Sequence, residues 1–214
     1  MKSYIRYYHE DRTHLGLGKD TPSGFTAHPK YDPVKGETVA IAYEPGRRTL
    51  RYLVVDAAGR AETRADIDAP HGPMVHDVGF TQNFIIVLDL PVTFQPQRAL
   101  GAAFPYFWND QQAPRIGLLP RNGDLAGLIW FEAPSCWVWH IVNAYEAEGG
   151  EVVVDVPRHP RMFDHAWWVG TDLEAGLLCP SPLAEPAEQI SRNGLPRLHS
   201  LDGRHTVAWR VDTA

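Results

Sequence analysis

From residue 24 onward, short apolar runs rich in Val, Ile, Tyr and Trp alternate with clusters of Gly, Pro, Asp and Asn. That is the pattern of strands joined by turns. It predicts strands over Glu37–Tyr43, Leu50–Asp56, Val75–Phe80, Phe84–Leu88, Arg115–Leu119, Gly127–Glu132, Trp137–Tyr145, Glu151–Val156, Pro196–Ser200 and Thr206–Val211. Asp56-Ala-Ala-Gly59, Arg121-Asn-Gly-Asp124, Glu148-Gly-Gly150 and Leu201-Asp-Gly203 supply the breaks. Helical periodicity is almost absent. Strands in meander order predict an all-β fold, with sandwich, barrel and propeller all open. The Pro-rich stretch Met162 to Asn193 reads as loop, and residues 1–15 read as a short helix before Gly16 and Gly18.

Composition narrows the class. The 214 residues are 44% apolar and 21% charged, enough for one globular domain with a sizeable core. No run approaches the 18 or so apolar residues of a membrane span, and the N-terminus lacks an apolar signal core. Cys136 and Cys179 form neither a CxxC pair nor a disulfide framework, which suits a reducing, cytoplasmic location. The net charge is −6, and it is uneven. Residues 1–22 carry four basic and three acidic side chains, leaving 16 basic against 23 acidic in the body. Such a body is a poor ligand for nucleic acid.

Ten histidines carry the candidate chemistry. His9, His14, His71, His159, His165, His199 and His205 sit among charged or turn residues and read as solvated. His76 in PMVHDVGF and His140 in CWVWHIVNAYE lie on or beside apolar strands, and His28 in FTAHPK opens the β-rich part. A buried imidazole must be satisfied, at a cost of about 1–3 kcal/mol if it is not. The bland alternative for each is a hydrogen-bonded core or loop histidine. Their separations, 48 and 64 residues, match no local zinc motif. They do suit inward-pointing positions in successive propeller blades of about 40–50 residues. Cys136 with His140 is a remote nucleophile–base pair, four residues apart on one strand face and too distant for proton transfer.

Several long stretches in order resemble the carotenoid cleavage oxygenase family, in particular its bacterial lignostilbene-dioxygenase-like members. They are FTAHPKYDPVKGE, LRYLVVDAAGR, PMVHDVGFTQNFIIVLDLPVTF, FPYFWNDQQAPRIGLLPRNG with WFEAPSCWVWHIVNAYE, and EVVVDVPRHPRMFD. The resemblance covers Gly24 to Asp164 well and the remainder weakly. It implies a seven-bladed β-propeller with a non-haem Fe(II) held by four histidines, three of them at His28, His76 and His140. It also implies oxidative cleavage of a conjugated C=C bond in a carotenoid, apocarotenoid or stilbene, with dioxygen as co-substrate. Imidazole donors suit Fe(II) but suit zinc and copper as well, so the choice of iron belongs to the family.

Departures from the family pattern set further expectations. The fourth histidine and the glutamates that orient the ligands have no counterpart identifiable in this chain, and Glu146 in NAYE reads as a motif residue. From Gly24 there are 191 residues, enough for about four blades of ~45 each. The expectation is a partial propeller over 24–214, poorly soluble and with impaired or no turnover. Residues 1–22, YIRYYHEDRTHLGLGKDTP in particular, resemble the C-terminal tail of DDE integrases and transposases, as in a hybrid reading frame. A non-catalytic propeller fragment or interaction module is the alternative, and a DNA-transaction protein a weaker one.

Overall fold

The computed structural model describes residues 26–98, 105–148, 151–159 and 161–162, and the backbone of strands 197–199 and 206–211. The expected N-terminal helix, the 1–22 segment and its junction near Pro22–Gly24 lie outside the described residues. So do Cys179 and all but Met162 of the expected Met162–Asn193 loop. Within the described residues the chain is β-structure, and its one helical element is the 3-10 turn Leu125–Gly127.

The first sheet is an antiparallel meander of β1 (Lys30–Asp32), β2 (Glu37–Ala42), β3 (Thr49–Val55) and β4 (Ala61–Asp68), in that order. The second consists of β5 (Gly79–Phe80), β6 (Phe84–Asp89), β9 (Arg115–Pro120) and β10 (Ile129–Glu132), ordered β10-β9-β6-β5. A hairpin of β7 (Val92–Phe94) and β8 (Tyr106–Trp108) is inserted between β6 and β9. β11 (Trp137–Val138) pairs with β14 (Arg158–His159). The third four-stranded sheet joins β12 (Asn143–Glu146), β13 (Val152–Val156), β15 (Arg197–His199) and β16 (Thr206–Val211) in the order β12-β13-β16-β15.

The second sheet lies between two cores. Ile85 and Val87 face Val39, Ile41, Leu50 and Tyr52 of the first sheet. Ile86 and Leu88 face the opposite way, toward Trp137, Ile141, Val152 and Val154. Successive side chains on a strand point to opposite faces, so a strand buried on both must read as a continuous apolar run. Phe84-Ile-Ile-Val-Leu88 is that run. Four-stranded antiparallel sheets stacked face to face fit successive propeller blades, and the fold is all-β as the sequence predicts.

Four differences from the expected strands have physical causes. β4 is missed because its sequence, AETRADID, buries only Ala65 and Ile67 and is otherwise a polar, charged edge. The predicted Val75–Phe80 strand shrinks to Gly79–Phe80, because His76 and Asp77 pair with Ala27 and His28 instead. Trp137–Tyr145 breaks into two short strands around His140. The third sheet is no simple meander: β13 and β16 run parallel, which requires the chain to return to the same end before re-entering.

Candidate metal centre

Three connecting segments meet at one end of the first two sheets. Thr26 to Pro29 enters β1, held by Thr26 N–H donating to Ile41 O (2.8 Å) and Ala27 N–H donating to His76 O (3.0 Å). The segment before β5 is pinned by Met74 N–H donating to Val92 O (2.8 Å) and by the burial of Met74 and Val75. Between β11 and β12, Ile141 is buried and packs so closely on Gly79 that a Cβ there would sit 3.1 Å from its side chain. Glycine at position 79 therefore lets the His140 segment approach. Val142 N–H donates to Asp155 O (2.9 Å) and closes the same segment onto β13.

These segments bring His28, His76 and His140 together. The Nε2 atom of His28 lies 3.1 Å from that of His76 and 3.2 Å from that of His140. One ligand nitrogen from each ring falls within 4.8 Å of the others, and no other such His/Cys/Asp/Glu group occurs among the described residues. His28 and His76 are half-buried and His140 is exposed. Nitrogens bound to one ion at about 2.1 Å are roughly 3.0–3.4 Å apart for angles between octahedral and tetrahedral. The two short separations fit that range. An imidazole–imidazole hydrogen bond satisfies one such pair, but the single in-plane lone pair of His28 Nε2 cannot serve both neighbours well.

Burial, followed by the neighbouring His28 and His140 rings, pushes the His76 imidazole down to about 4, against the opposite pull of Asp77. At neutral pH His76 is therefore uncharged, the form in which imidazole donates to a metal. Trp139 packs edge-on against His76 at 4.7 Å and against Trp137 at 5.3 Å. His159, opposite Trp137 across the β11–β14 pair, is shifted down by burial and then by the charge of His140.

The other sequence candidates separate cleanly. Glu146 lies away from the ring cluster, its carboxylate accepting from Asn83 N (2.8 Å) and Asn83 Nδ2 (2.7 Å). It fastens β12 to the turn between β5 and β6. Cys136 is buried in the core, and burial raises its thiol to about 11, so it supplies no thiolate at neutral pH. Reasoning from sequence did not single out Asp77, which adjoins His76 and whose carboxylate is fully buried. Its signal is a carboxylate inside an otherwise apolar run, PMVHDVGF.

Comparison with known proteins shows the family. The family model described as retinal pigment epithelial membrane protein (RPE65) matches residues 7–176. A carotenoid cleavage oxygenase of Mycobacterium tuberculosis is 32% identical over 184 aligned residues, covering 66% of this chain and 37% of that protein. An isoeugenol monooxygenase of Pseudomonas putida is 36% identical over 142 residues, covering 65% of this chain and 30% of that protein. The solved lignostilbene dioxygenase of Pseudomonas brassicacearum superposes with a TM-score of 0.59 at 29% identity, over 66% of this chain and 31% of its own. The chain thus spans about a third of the length of the curated relatives it matches. With a family-model match over most of its length and relatives above 30% identity, this chain belongs to the RPE65 family, among the carotenoid cleavage oxygenases.

Proposed function

We propose that this chain carries the metal centre of a non-haem Fe(II) dioxygenase that cleaves a conjugated C=C bond of a carotenoid, apocarotenoid or stilbene. His28, His76 and His140 hold the ion through Nε2. The observation that carries this reading is the convergence of three Nε2 atoms from sequence positions 48 and 64 residues apart. The names of the relatives support the reaction class.

Bound Fe(II) would supply activation of dioxygen at positions that the three imidazoles leave open. The reaction balances without a further reductant: the C=C and O–O bonds break, and each former alkene carbon gains one oxygen as a carbonyl. The residues of this chain have simpler tasks. The rings of His28 and His76 are half-buried and face one point with His140, and burial keeps His76 neutral. Trp139 offers an aromatic edge and face beside His76, against which a conjugated substrate packs by dispersion and offset stacking.

With three imidazoles as the donor set, the expected result is iron binding with little or no turnover. The 1–22 segment and the 24–214 propeller domain are proposed as separate units. Anaerobic Fe(II) loading, metal analysis and assay on a stilbene and an apocarotenoid test the reading. One iron per chain, lost in His76→Ala, is the expected result. Absence of iron would leave a metal-free propeller module as the function. Vigorous cleavage would show that the three-histidine set is sufficient for catalysis.

A further inference from the structure

We infer that Asp77 is the positioning residue of the histidine centre: one buried carboxylate fixes all three ligand-bearing segments relative to one another. This inference rests on the metal-centre reading above for its purpose, and on hydrogen bonds alone for its geometry. Asp77 adjoins His76 in the chain, and its Oδ1 accepts from Val78 N–H at 2.7 Å, locking its own segment. Oδ2 accepts from Ile141 N–H at 2.8 Å, the residue directly after His140. Lys30, two residues after His28, places its ammonium 3.1 Å from both carboxylate oxygens. Between these side-chain bonds, the backbones of His28 and Asp77 form a parallel bridge. The carboxylate is fully buried, so none of these partners can be replaced by bulk water.

The arrangement explains why the strands are interrupted where they are. Ile141 N–H has left the strand ladder and is taken up by Asp77, which holds the chain turned so that His140 faces the other rings. The usual device for orienting a ligand is a carboxylate bonded to the imidazole itself. Here the carboxylate acts one step back, on the backbone that carries the ring.

Asp89 provides the control. It is equally buried and accepts from two donors, Gln112 Nε2 at 2.6 Å and Arg115 Nε at 2.7 Å, but it serves the second sheet and bonds to none of the three ligand-bearing segments. The test titrates the full chain with Co(II), read by visible absorption, in wild type, Asp77→Asn and Asp89→Asn. Asp77→Asn keeps the shape but turns one acceptor into a donor facing Ile141 N–H or Lys30. It should weaken Co(II) about tenfold or more and shift the ligand-field band. Asp89→Asn should lower the unfolding midpoint while leaving affinity and band unchanged. Lys30→Met, at a partly exposed and more tolerant position, should also weaken Co(II), by a smaller factor, if Asp77→Asn fails to fold.

Wild-type affinity and spectrum in Asp77→Asn, or no change in Lys30→Met where Asp77→Asn does not fold, would overturn the inference. Equal weakening in Asp89→Asn would also overturn it. If the wild-type chain takes up no Co(II), the metal reading fails, and ring-to-ring nuclear Overhauser contacts in the metal-free chain decide the positioning. Those contacts to His140 should vanish in Asp77→Asn, or in Lys30→Met, and persist in Asp89→Asn; their retention would refute the role.

Discussion

Two buried polar clusters join the sheets of this molecule, and they end differently. At the seam between the first two sheets, Arg121 bonds Glu37 at 2.6 Å, Asp32 at 2.9 Å and the carbonyl of Thr81 at 3.1 Å. Arg64 pairs with the other oxygen of Glu37, and Tyr52 and Arg64 both donate to Arg121 O. Asp32 also accepts from the amides of Val34 and Lys35, so the same carboxylate shapes the β1–β2 turn. Charge meets charge, and apart from Arg121 Nε, which is buried without a hydrogen bond, the cluster closes on itself. At the histidine centre the polar network also begins on a buried carboxylate, Asp77, but it ends on three ring nitrogens aimed at a common point. A cluster that closes serves the fold, whereas one that ends on convergent donors has room for a ligand.

Breaking the seam gives the largest expected effect. Arg121→Met leaves Asp32 and Glu37 buried beside one another without their shared cation. Removing one side of such a buried pair costs about 3–5 kcal/mol. Urea unfolding followed by Trp fluorescence should show that loss, while Co(II) affinity stays within about twofold of wild type for a distant, uncoupled site. A parallel loss of metal affinity would mean that the two clusters are not independent.

Acid separates the clusters next. His76 is neutral in the folded metal-free chain down to about pH 4, whereas in the unfolded chain it takes up a proton below about 6.5. The unfolded state therefore binds more protons between those values, and stability falls as pH drops from about 6.5 toward 4, by at most roughly 3 kcal/mol from this group. Asp32 acts in the same direction but over a lower pH window. Burial alone would raise its carboxyl, but the hydrogen bonds from Val34, Lys35 and Arg121 bring it below the usual carboxylate value. Its contribution is fully present above about pH 4 and is lost only as pH falls further, through its folded value. Unfolding midpoints measured from pH 7 to 3 should fall first through the histidine window. His76→Gln should shrink that first decline, leaving only the share contributed by His159, and leave the second.

The smallest expected effect lies at the clasp between β12 and the β5–β6 turn. Glu146→Ala removes two hydrogen bonds to Asn83 and should cost about 1 kcal/mol, since the pair is partly solvated. A thermal melt measures it. A much larger loss would make this clasp, and not the Arg121 seam, the main joint between sheets.

The sequence disclosed these regions unequally. Phe84-Ile-Ile-Val-Leu88 announced a strand, which the fold buries on both faces, and Asn122-Gly123 announced the turn where Gly123 takes φ +82°. His28, His76 and His140 were recognisable from motifs whose order resembles a known family, while their spacing alone implied no site. Asp77 left one local mark, a carboxylate inside an apolar run, but its bond to the amide of Ile141, 64 residues away, left none. The same holds for Arg121: its partners Asp32 and Glu37 lie 84 or more residues away, and nothing nearby marks it as buried. β4 was hidden for a different reason, since an edge strand needs few apolar residues. Local signals report turns and two-faced burial; long-range polar contacts require the fold.

X-ray absorption at the iron edge of the anaerobically loaded full chain tests the central claim most directly. Three imidazole ligands in the wild-type chain, and two in His140→Ala, are the predicted result. Iron retained with no imidazole scattering, or an unchanged ligand count in His140→Ala, would contradict it.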